Sequence, residues 1–153
     1  MFHVEQCGES NNMVKLFLNE VVIETAYFTV GQDWEVPIPG FLIVAARRKL
    51  RSISEFTDEE VREFGFLLRK LRQGMRDVLG ISDVYLFQNE DTEHNFHFWI
   101  FPRHPWMEQF GRKIESVRPI MKYAVANMAT DAFFQEVKEV VSKLRGYIEG
   151  FQI

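Results

Sequence analysis

The residues best suited to chemistry lie in one short segment, 95–104, which reads NFHFWIFPRH. Polar and apolar side chains alternate at its start, which predicts a β-strand, and His97 takes the polar-facing register. Pro102 and Arg103 close the strand. A neutral imidazole is nucleophilic near pH 7 and becomes a good leaving group once phosphorylated. His97, followed by a cation, is therefore a candidate nucleophile for phosphate chemistry.

Other strands must hold this segment in place. Four runs rich in β-branched and aromatic residues, each bounded by turn residues, predict them. They are 14–18, 26–30, 41–46 and 84–89. Only the polar stretch 90–94 separates the last of them from the histidine strand. So short a link favours an antiparallel hairpin.

The longest predicted helix begins at a capping box, in which the Thr57 hydroxyl accepts from the Glu60 amide and the Glu60 carboxylate reaches back. It runs to about Leu79 and stops at Gly80. Two more helices are predicted over 115–127 and 130–147. Strands, a helix, a hairpin and then helices indicate an α+β domain. The apolar face of the long helix is predicted to contain Val61, Phe64, Leu68, Leu71, Met75 and Val78.

Composition narrows the class of protein. The 153 residues fit a single domain, 1–153. The net charge of -4 disfavours nonspecific nucleic-acid binding, because such proteins usually carry a basic excess. Cys7 is the sole cysteine, which is compatible with a reducing cytosol. Residues 1–12 contain no apolar signal core, and no run reaches the roughly 18 apolar residues that span a bilayer. We therefore expect a cytoplasmic protein with no nucleic-acid or membrane partner.

The stretch 28–104 resembles the HIT (histidine triad) superfamily of nucleotide hydrolases and transferases in four features that occur in order. A Pro-x-Pro-Gly turn precedes an apolar strand over 37–46, and the capped helix follows. A strand then ends in Gln-Asn-Glu at 88–90, and the histidine strand closes with Pro-Arg. The resemblance implies a HIT-like fold, with an antiparallel sheet, one long helix packed on it and additional C-terminal helices. It implies a core over about 1–110 and a C-terminal helical extension over about 111–153.

The family motif, three histidines separated by single apolar residues, falls on Asn95, His97 and Trp99. This chain keeps only the central histidine. The resemblance implies that His97 attacks the α-phosphorus of a nucleotide and forms a nucleotidyl-histidine intermediate that water resolves. It points to dinucleoside polyphosphates, as in diadenosine tetraphosphate hydrolase-like proteins, or to nucleoside phosphoramidates.

Further site residues follow from the same resemblance. It implies phosphate contacts from Asn89, His94, Asn95 and Arg103. It implies that Asp33 holds the ribose and that Phe28 and Ile43 lie near the base. It also implies a homodimer, and no cofactor or bound metal. A zinc site is not expected, because His3 and Cys7 are too few for the usual four ligands.

Departures from the family pattern keep other functions open. Phe41 stands where the family has a histidine, and the loop 90–94 is short and carries three carboxylates. A nucleotide-binding module with weak turnover is therefore the alternative to a hydrolase. A lone strand histidine is also, in general, more often a packed residue than a catalyst. The third possibility is an interaction protein that docks a partner through the apolar stripe Phe133, Phe134, Val137 and Val141.

Overall fold

The computed structural model describes residues 21–150. In this part of the chain, three α-helices and three short 3-10 segments accompany a single sheet, and two of the α-helices lie in the C-terminal third. The predicted strand 14–18, together with His3 and Cys7, lies outside the described residues. The strands are β1 (Val21–Glu24), β2 (Phe28–Gln32), β3 (Leu42–Ala46), β4 (Val84–Phe87) and β5 (His97–Pro102). The helices are α1 (Asp58–Leu79), α2 (Val117–Asn127) and α3 (Asp131–Glu149), and the 3-10 segments are Ile53–Glu55, Pro105–Phe110 and Ile114–Ser116.

The five described strands form one antiparallel sheet in the order β1-β2-β3-β5-β4. The predicted hairpin between β4 and β5 is confirmed. β5 lies between β3 and β4, and its register sets Trp99 opposite Ile43 and His97 opposite Ala45. The predicted α+β fold with an antiparallel sheet is therefore confirmed. No described helix is long and apolar enough to cross a membrane.

The two faces of the sheet carry separate apolar clusters, because side chains alternate along each strand. One face, which we call the helix face, packs on α1 and α3 through residues such as Val44 and Ile100. The other, which we call the site face, packs on α2 and the Pro105–Phe110 segment through Trp99 and Phe101. The candidate functional residues lie on the site face, near the start of β5.

The capping box at the start of α1 is confirmed, since Thr57 Oγ1 accepts from the Glu60 amide and a Glu60 carboxylate oxygen accepts from the Thr57 amide. Gly80 ends the helix in the left-handed conformation, with φ of 67°. The predicted apolar face was wrong for Val61, which is 52% exposed, and for Val78, which is 37% exposed. The buried face is rotated instead towards Leu67, Leu71, Gly74 and Met75, because α3 covers the helix from that side.

α3 is part of the main core. Its buried side chains pack in the same cluster as the sheet and α1, and they include Phe134, Val137, Val141, Leu144 and Ile148. The side chain of Arg145 donates to the carbonyl oxygen of Val21 at 2.7 Å, which joins α3 to β1. Of the proposed docking stripe, Phe134, Val137 and Val141 are buried and Phe133 is partly buried, which counts against the interaction-protein hypothesis.

Candidate functional site

A cavity of about 200 Å³ opens on the site face beside the first residues of β5. Four parts of the chain form it: the connection between β2 and β3, the middle of β3, the loop that leads from β4 into β5, and the start of β5 itself. Antiparallel pairing of β3 with β5 brings these segments together although they are far apart in the sequence. The cavity is lined by Asp33, Trp34, Glu35, Ile43, Asn89, Thr92, His94, Asn95, His97 and Trp99.

His97 begins β5 and is partly buried in the wall of the cavity. Its ring lies parallel to that of His94, with 6.4 Å between centroids, and meets the indole of Trp99 edge-on at 5.8 Å. Burial lowers the pKa of His97, and the neighbouring His94 lowers it further. The imidazole is therefore neutral at pH 7, which is the form that can act as a nucleophile.

Trp99 occupies the position of the third family histidine and is only 4% exposed. Its ring stacks on Phe87, with centroids 5.6 Å apart. Within the described part of the chain, no acceptor pairs with its buried Nε1–H. The sequence alone predicts that this residue packs on one face of the sheet, and its burial in the site-face cluster confirms that prediction.

Asp33 is 2% exposed and holds a turn at the mouth of the cavity. Its Oδ1 accepts from the backbone amides of Glu35 at 3.0 Å and Val36 at 3.2 Å. Its Oδ2 is buried and has no partner among residues 21–150. Burial raises the pKa of Asp33 to about 7, and the nearby charge of Glu35 adds to the effect against the lowering by the two backbone amides.

Gln32, which sequence reasoning missed, fixes the loop that carries Asp33. The side chain is 5% exposed. Its Nε2 donates to the carbonyl oxygens of Asp33 at 3.0 Å and Ile38 at 2.7 Å, and its Oε1 accepts from the Gly40 amide at 3.0 Å. One buried amide therefore closes the turn that the Pro-x-Pro-Gly sequence begins. A polar residue at a strand end was the only signal available in the sequence.

Asn95 lines the cavity, but its amide is committed to the backbone. Its Nδ2 donates to the carbonyl oxygens of Ala46 at 2.8 Å and Arg48 at 3.1 Å, and its Oδ1 accepts from the Leu50 amide at 2.7 Å. These bonds clamp the entry of β5 to the chain that follows β3. The residue predicted to contact phosphate thus has its amide nitrogen and oxygen engaged in holding the site together.

Arg103 is not part of this cavity. It follows β5, six residues beyond His97, which in an extended strand is roughly 20 Å. Its guanidinium lies over the Tyr85 ring at 5.9 Å, with Ser116 Oγ at 3.3 Å and Glu108 Oε1 at 3.4 Å. The even spacing that places it on the same face as His97 also places it at the opposite end of that face.

Phe28 lies on the wrong face of the sheet for the predicted base contact. It is fully buried in the helix face, against Phe56 and Phe64, with ring centroids 5.5 Å and 5.4 Å away. Phe28 pairs with Ala46, which shares the helix face with Leu42 and Val44. Ile43, between those two, points to the site face and lines the cavity.

The structure therefore brings six of the predicted residues to one cavity and leaves two elsewhere. The six are Asp33, Ile43, Asn89, His94, Asn95 and His97. Trp34, Glu35, Thr92 and Trp99 also line it, and the sequence reasoning gave none of these four a role in the site.

No protein-family model and no curated protein matches this chain. Several solved structures do match it. A histidine triad protein from Bradyrhizobium japonicum superposes with a TM-score of 0.61 at 14% identity, over 84% of this chain and 89% of its own. A HIT-like protein from Bartonella henselae gives a TM-score of 0.56 at 17% identity, over 88% and 93% of the two chains. A HIT-family protein from Bacillus subtilis gives 0.52 at 18%, over 83% and 100%.

The sheet, the long helix on one of its faces and the cavity beside β5 define the class of protein as an α+β domain. At identities of 14–18%, the superpositions establish the fold and nothing finer. The chain has the fold of the histidine triad proteins, as its motifs predicted. The more specific likeness to diadenosine tetraphosphate hydrolases stays a prediction.

Proposed function

We propose that this protein binds a nucleotide or nucleoside in the cavity beside β5, with its nucleoside part against Asp33 and Ile43. The observation that carries the proposal is that two residues lining this cavity, Asp33 and Trp99, each have a buried polar atom, Oδ2 and Nε1, without a partner among residues 21–150. Buried polar groups are nearly always hydrogen-bonded in folded proteins. A bound ligand that pairs with these atoms accounts for both. The HIT fold and the predicted ribose role of Asp33 support a nucleoside as that ligand.

The shape of the cavity agrees with such a ligand. Ile43, Trp34 and Trp99 supply apolar and aromatic wall, which suits a base. Asp33 supplies a hydrogen-bond acceptor, which suits a sugar hydroxyl. The cavity volume of about 200 Å³ is below the usual range of roughly 300–1,000 Å³ for small-molecule sites, which favours a small ligand or part of a larger one.

A second candidate function is hydrolysis at an α-phosphate, with His97 as the nucleophile. The neutral state of His97 supports it. A ring nitrogen of His97 would form a bond to phosphorus as the leaving group departs with the bonding electrons. Water would then cleave the N–P bond and restore the imidazole. Dinucleoside polyphosphates and nucleoside phosphoramidates are the proposed substrates.

The surroundings of His97 make efficient hydrolysis the weaker of the two proposals. Phosphoryl transfer depends on donors and cations aimed at the phosphate oxygens. Among the described residues that line the cavity there is no lysine or arginine, and the Asn95 amide is engaged with the backbone. We therefore rank nucleotide binding first and slow, His97-dependent turnover second.

One experiment distinguishes nucleotide binding from hydrolysis. Titration calorimetry with adenosine, guanosine and AMP measures binding, and turnover of diadenosine tetraphosphate and adenosine phosphoramidate measures hydrolysis. Wild type, His97→Ala and the control Glu59→Gln are compared, since Glu59 lies on α1 and does not line the cavity. We expect measurable binding by all three proteins. Failure of every compound to bind wild type would refute the proposed function. Turnover that His97→Ala alone abolishes would establish the hydrolase.

We also propose a homodimer, as the resemblance implies. β4 is an edge strand among the described strands, and its Leu86 is 51% exposed. Light scattering on the eluting protein should give twice the mass of one chain. A mass of one chain at micromolar concentration would contradict the proposal.

A further inference from the structure

We propose that the cavity beside β5 selects uncharged nucleosides, or nucleosides whose phosphate charge is masked, over nucleoside mono-, di- and triphosphates. This inference rests on the proposed function and specifies its ligand class. It departs from what the HIT resemblance implies, because that resemblance points to polyphosphate substrates.

The charge of the cavity wall is the first reason. Its described lining residues include two carboxylic acids, Asp33 and Glu35, and no lysine or arginine. The loop that closes the cavity adds Glu90, Asp91 and Glu93 within five residues of the sequence. A phosphate dianion placed here would face the Glu35 carboxylate, and that of Asp33 once it ionises above pH 7, with no lysine or arginine in the described lining. Coulomb repulsion between like charges is stronger in a partly buried cavity than at an open surface.

The second reason is that the neighbouring arginine side chains already contact other groups. Arg48 makes three hydrogen bonds to the Glu60 carboxylate, at 2.9–3.1 Å. Arg51 donates to the carbonyl oxygen of Glu90 at 2.7 Å. Arg103, the cation that the family pattern supplies, lies at the far end of β5 over Tyr85. None of these three guanidinium groups lines the cavity.

The chemistry of the two unsatisfied atoms is the third reason. A hydroxyl group can donate to a carboxylate oxygen and can also accept from an indole N–H. A phosphate dianion can only accept, so the ionised form of Asp33, which prevails above pH 7, offers it no donor. The hydroxyls of a sugar and the mixed donors and acceptors of a base match both atoms, and both atoms are buried where a mismatch is costly.

The test is a charge series at fixed base. Calorimetry at low salt with adenosine, AMP and ADP on wild type should give the tightest binding for adenosine, with a loss of at least about fivefold at each added phosphate. Raising the salt concentration should strengthen AMP binding relative to adenosine, because screening weakens repulsion. Guanosine and GMP repeat the comparison for a second base.

Glu35→Gln removes one carboxylate of the wall with little change in shape. We expect it to reduce the ratio of adenosine affinity to AMP affinity at least threefold. Glu59→Gln makes the same substitution on α1, away from the cavity, and should leave the ratio unchanged. Trp99→Phe keeps an aromatic ring against Phe87 but removes the N–H, and adenosine affinity should fall about tenfold while AMP stays weak. Thermal melting of each variant verifies that it folds.

The outcomes distinguish the two levels of inference. Tighter binding of AMP or ADP than of adenosine would overturn the charge selectivity and leave nucleotide binding intact. Absence of binding by adenosine, guanosine and their phosphates alike would overturn both. An unchanged ratio in Glu35→Gln, with tight adenosine binding, would show that the wall carboxylate does not set the preference and would overturn the electrostatic reasoning.

Discussion

His97 and Trp99 show what one residue type can do in place of another at the same position. A histidine at position 99 could donate, accept or carry a positive charge, whereas an indole offers one N–H donor. The site therefore has a potential nucleophile at His97 but no imidazole at position 99 that could balance phosphate charge. What it retains is a neutral imidazole beside a buried donor, a combination suited to recognition as much as to reaction.

Asp33 gives a prediction about pH and stability. Its pKa is about 7 in the folded protein, against 3.8 for an unperturbed group, so the folded state holds a proton over this range that the unfolded state releases. Stability contributed by this group is complete below pH 4 and is lost as the pH rises through about 7. The full loss is about 4 kcal/mol, of which about 2–3 kcal/mol falls between pH 5 and pH 8. Asp33→Asn should abolish that loss. Urea unfolding at pH 5 and pH 8 measures it.

The comparison of wild type with Asp33→Asn isolates the contribution of Asp33 to the pH dependence of stability. His97 and His104 have lowered pKa values, mainly from burial, and their effect on stability runs the opposite way with pH. Both histidines are present in wild type and variant, so their contributions cancel in the difference. An equal fall in stability between pH 5 and pH 8 in the two proteins would contradict the prediction.

Asn95 gives a second prediction at this scale. A side chain that holds two backbone segments together contributes to stability, whereas one that only contacts phosphate does not. Asn95→Ala leaves the Leu50 amide and two backbone carbonyls without their partners, which should cost about 2–4 kcal/mol of unfolding free energy. Asn89→Ala is the control, since Asn89 lines the same cavity but is exposed, and should cost less than about 0.5 kcal/mol. Equal stability of the two variants by urea unfolding would refute the clamp.

The residue types around the site could be anticipated from the sequence, but their hydrogen-bond partners could not. The motif order placed His97 and Asp33 on the list of candidates, and the cavity contains both. The Asn95 clamp spans 45 to 49 positions of the chain, and no local pattern encodes a bond over that distance. Gln32 and Trp99 gained significance only from what surrounds them.

At the scale of elements, the packing of α1 on α3 depends on one glycine. A Cβ at Gly74 would lie 2.7 Å from Leu144 Cδ1 and 2.8 Å from Tyr147 Cδ1, so the helices or these side chains must move. Gly74→Ala should therefore destabilise the protein by about 1–3 kcal/mol, despite the better helix propensity of alanine.

Gly65 on the same helix is the matched control. A Cβ there meets no heavy atom within 4 Å, so Gly65→Ala should stabilise the protein by about 0.5–1 kcal/mol. The two substitutions are identical in chemistry and opposite in expected sign. Thermal or urea unfolding measures both, and a shift of the same sign in the two variants would contradict the close approach of α1 and α3.

The ends of α1 were more predictable from the sequence than the face of α1 that is buried. Capping and turn chemistry fixed both ends of α1, since Thr57 and Gly80 act through their immediate neighbours. The face of α1 that is buried depends on α3, which the helical period of α1 alone cannot report. Val61 and Val78 fit the apolar repeat and yet face solvent for this reason.

At the scale of the whole molecule, we predict that the last helix is required for the fold. A chain that ends at Thr130 would lose five buried side chains of α3 and expose Leu67, Leu71 and Met75 of α1. Each buried apolar side chain contributes about 1.5–3 kcal/mol, and together they approach the 5–15 kcal/mol stability of a typical domain. We expect no cooperative unfolding transition by circular dichroism. A sharp transition near that of the full chain would show that α3 is dispensable.

The strand order carries a consequence for the kinetics of folding. β5 is inserted between β3 and β4, so the β3–β5 pairing must close a chain segment of about fifty residues that includes all of α1. Pairings of this kind have high contact order and slow the folding reaction. Because Ile43 and His97 meet only through that pairing, the cavity is completed late. A ligand should then slow the unfolding rate in stopped-flow experiments while it leaves the refolding rate almost unchanged.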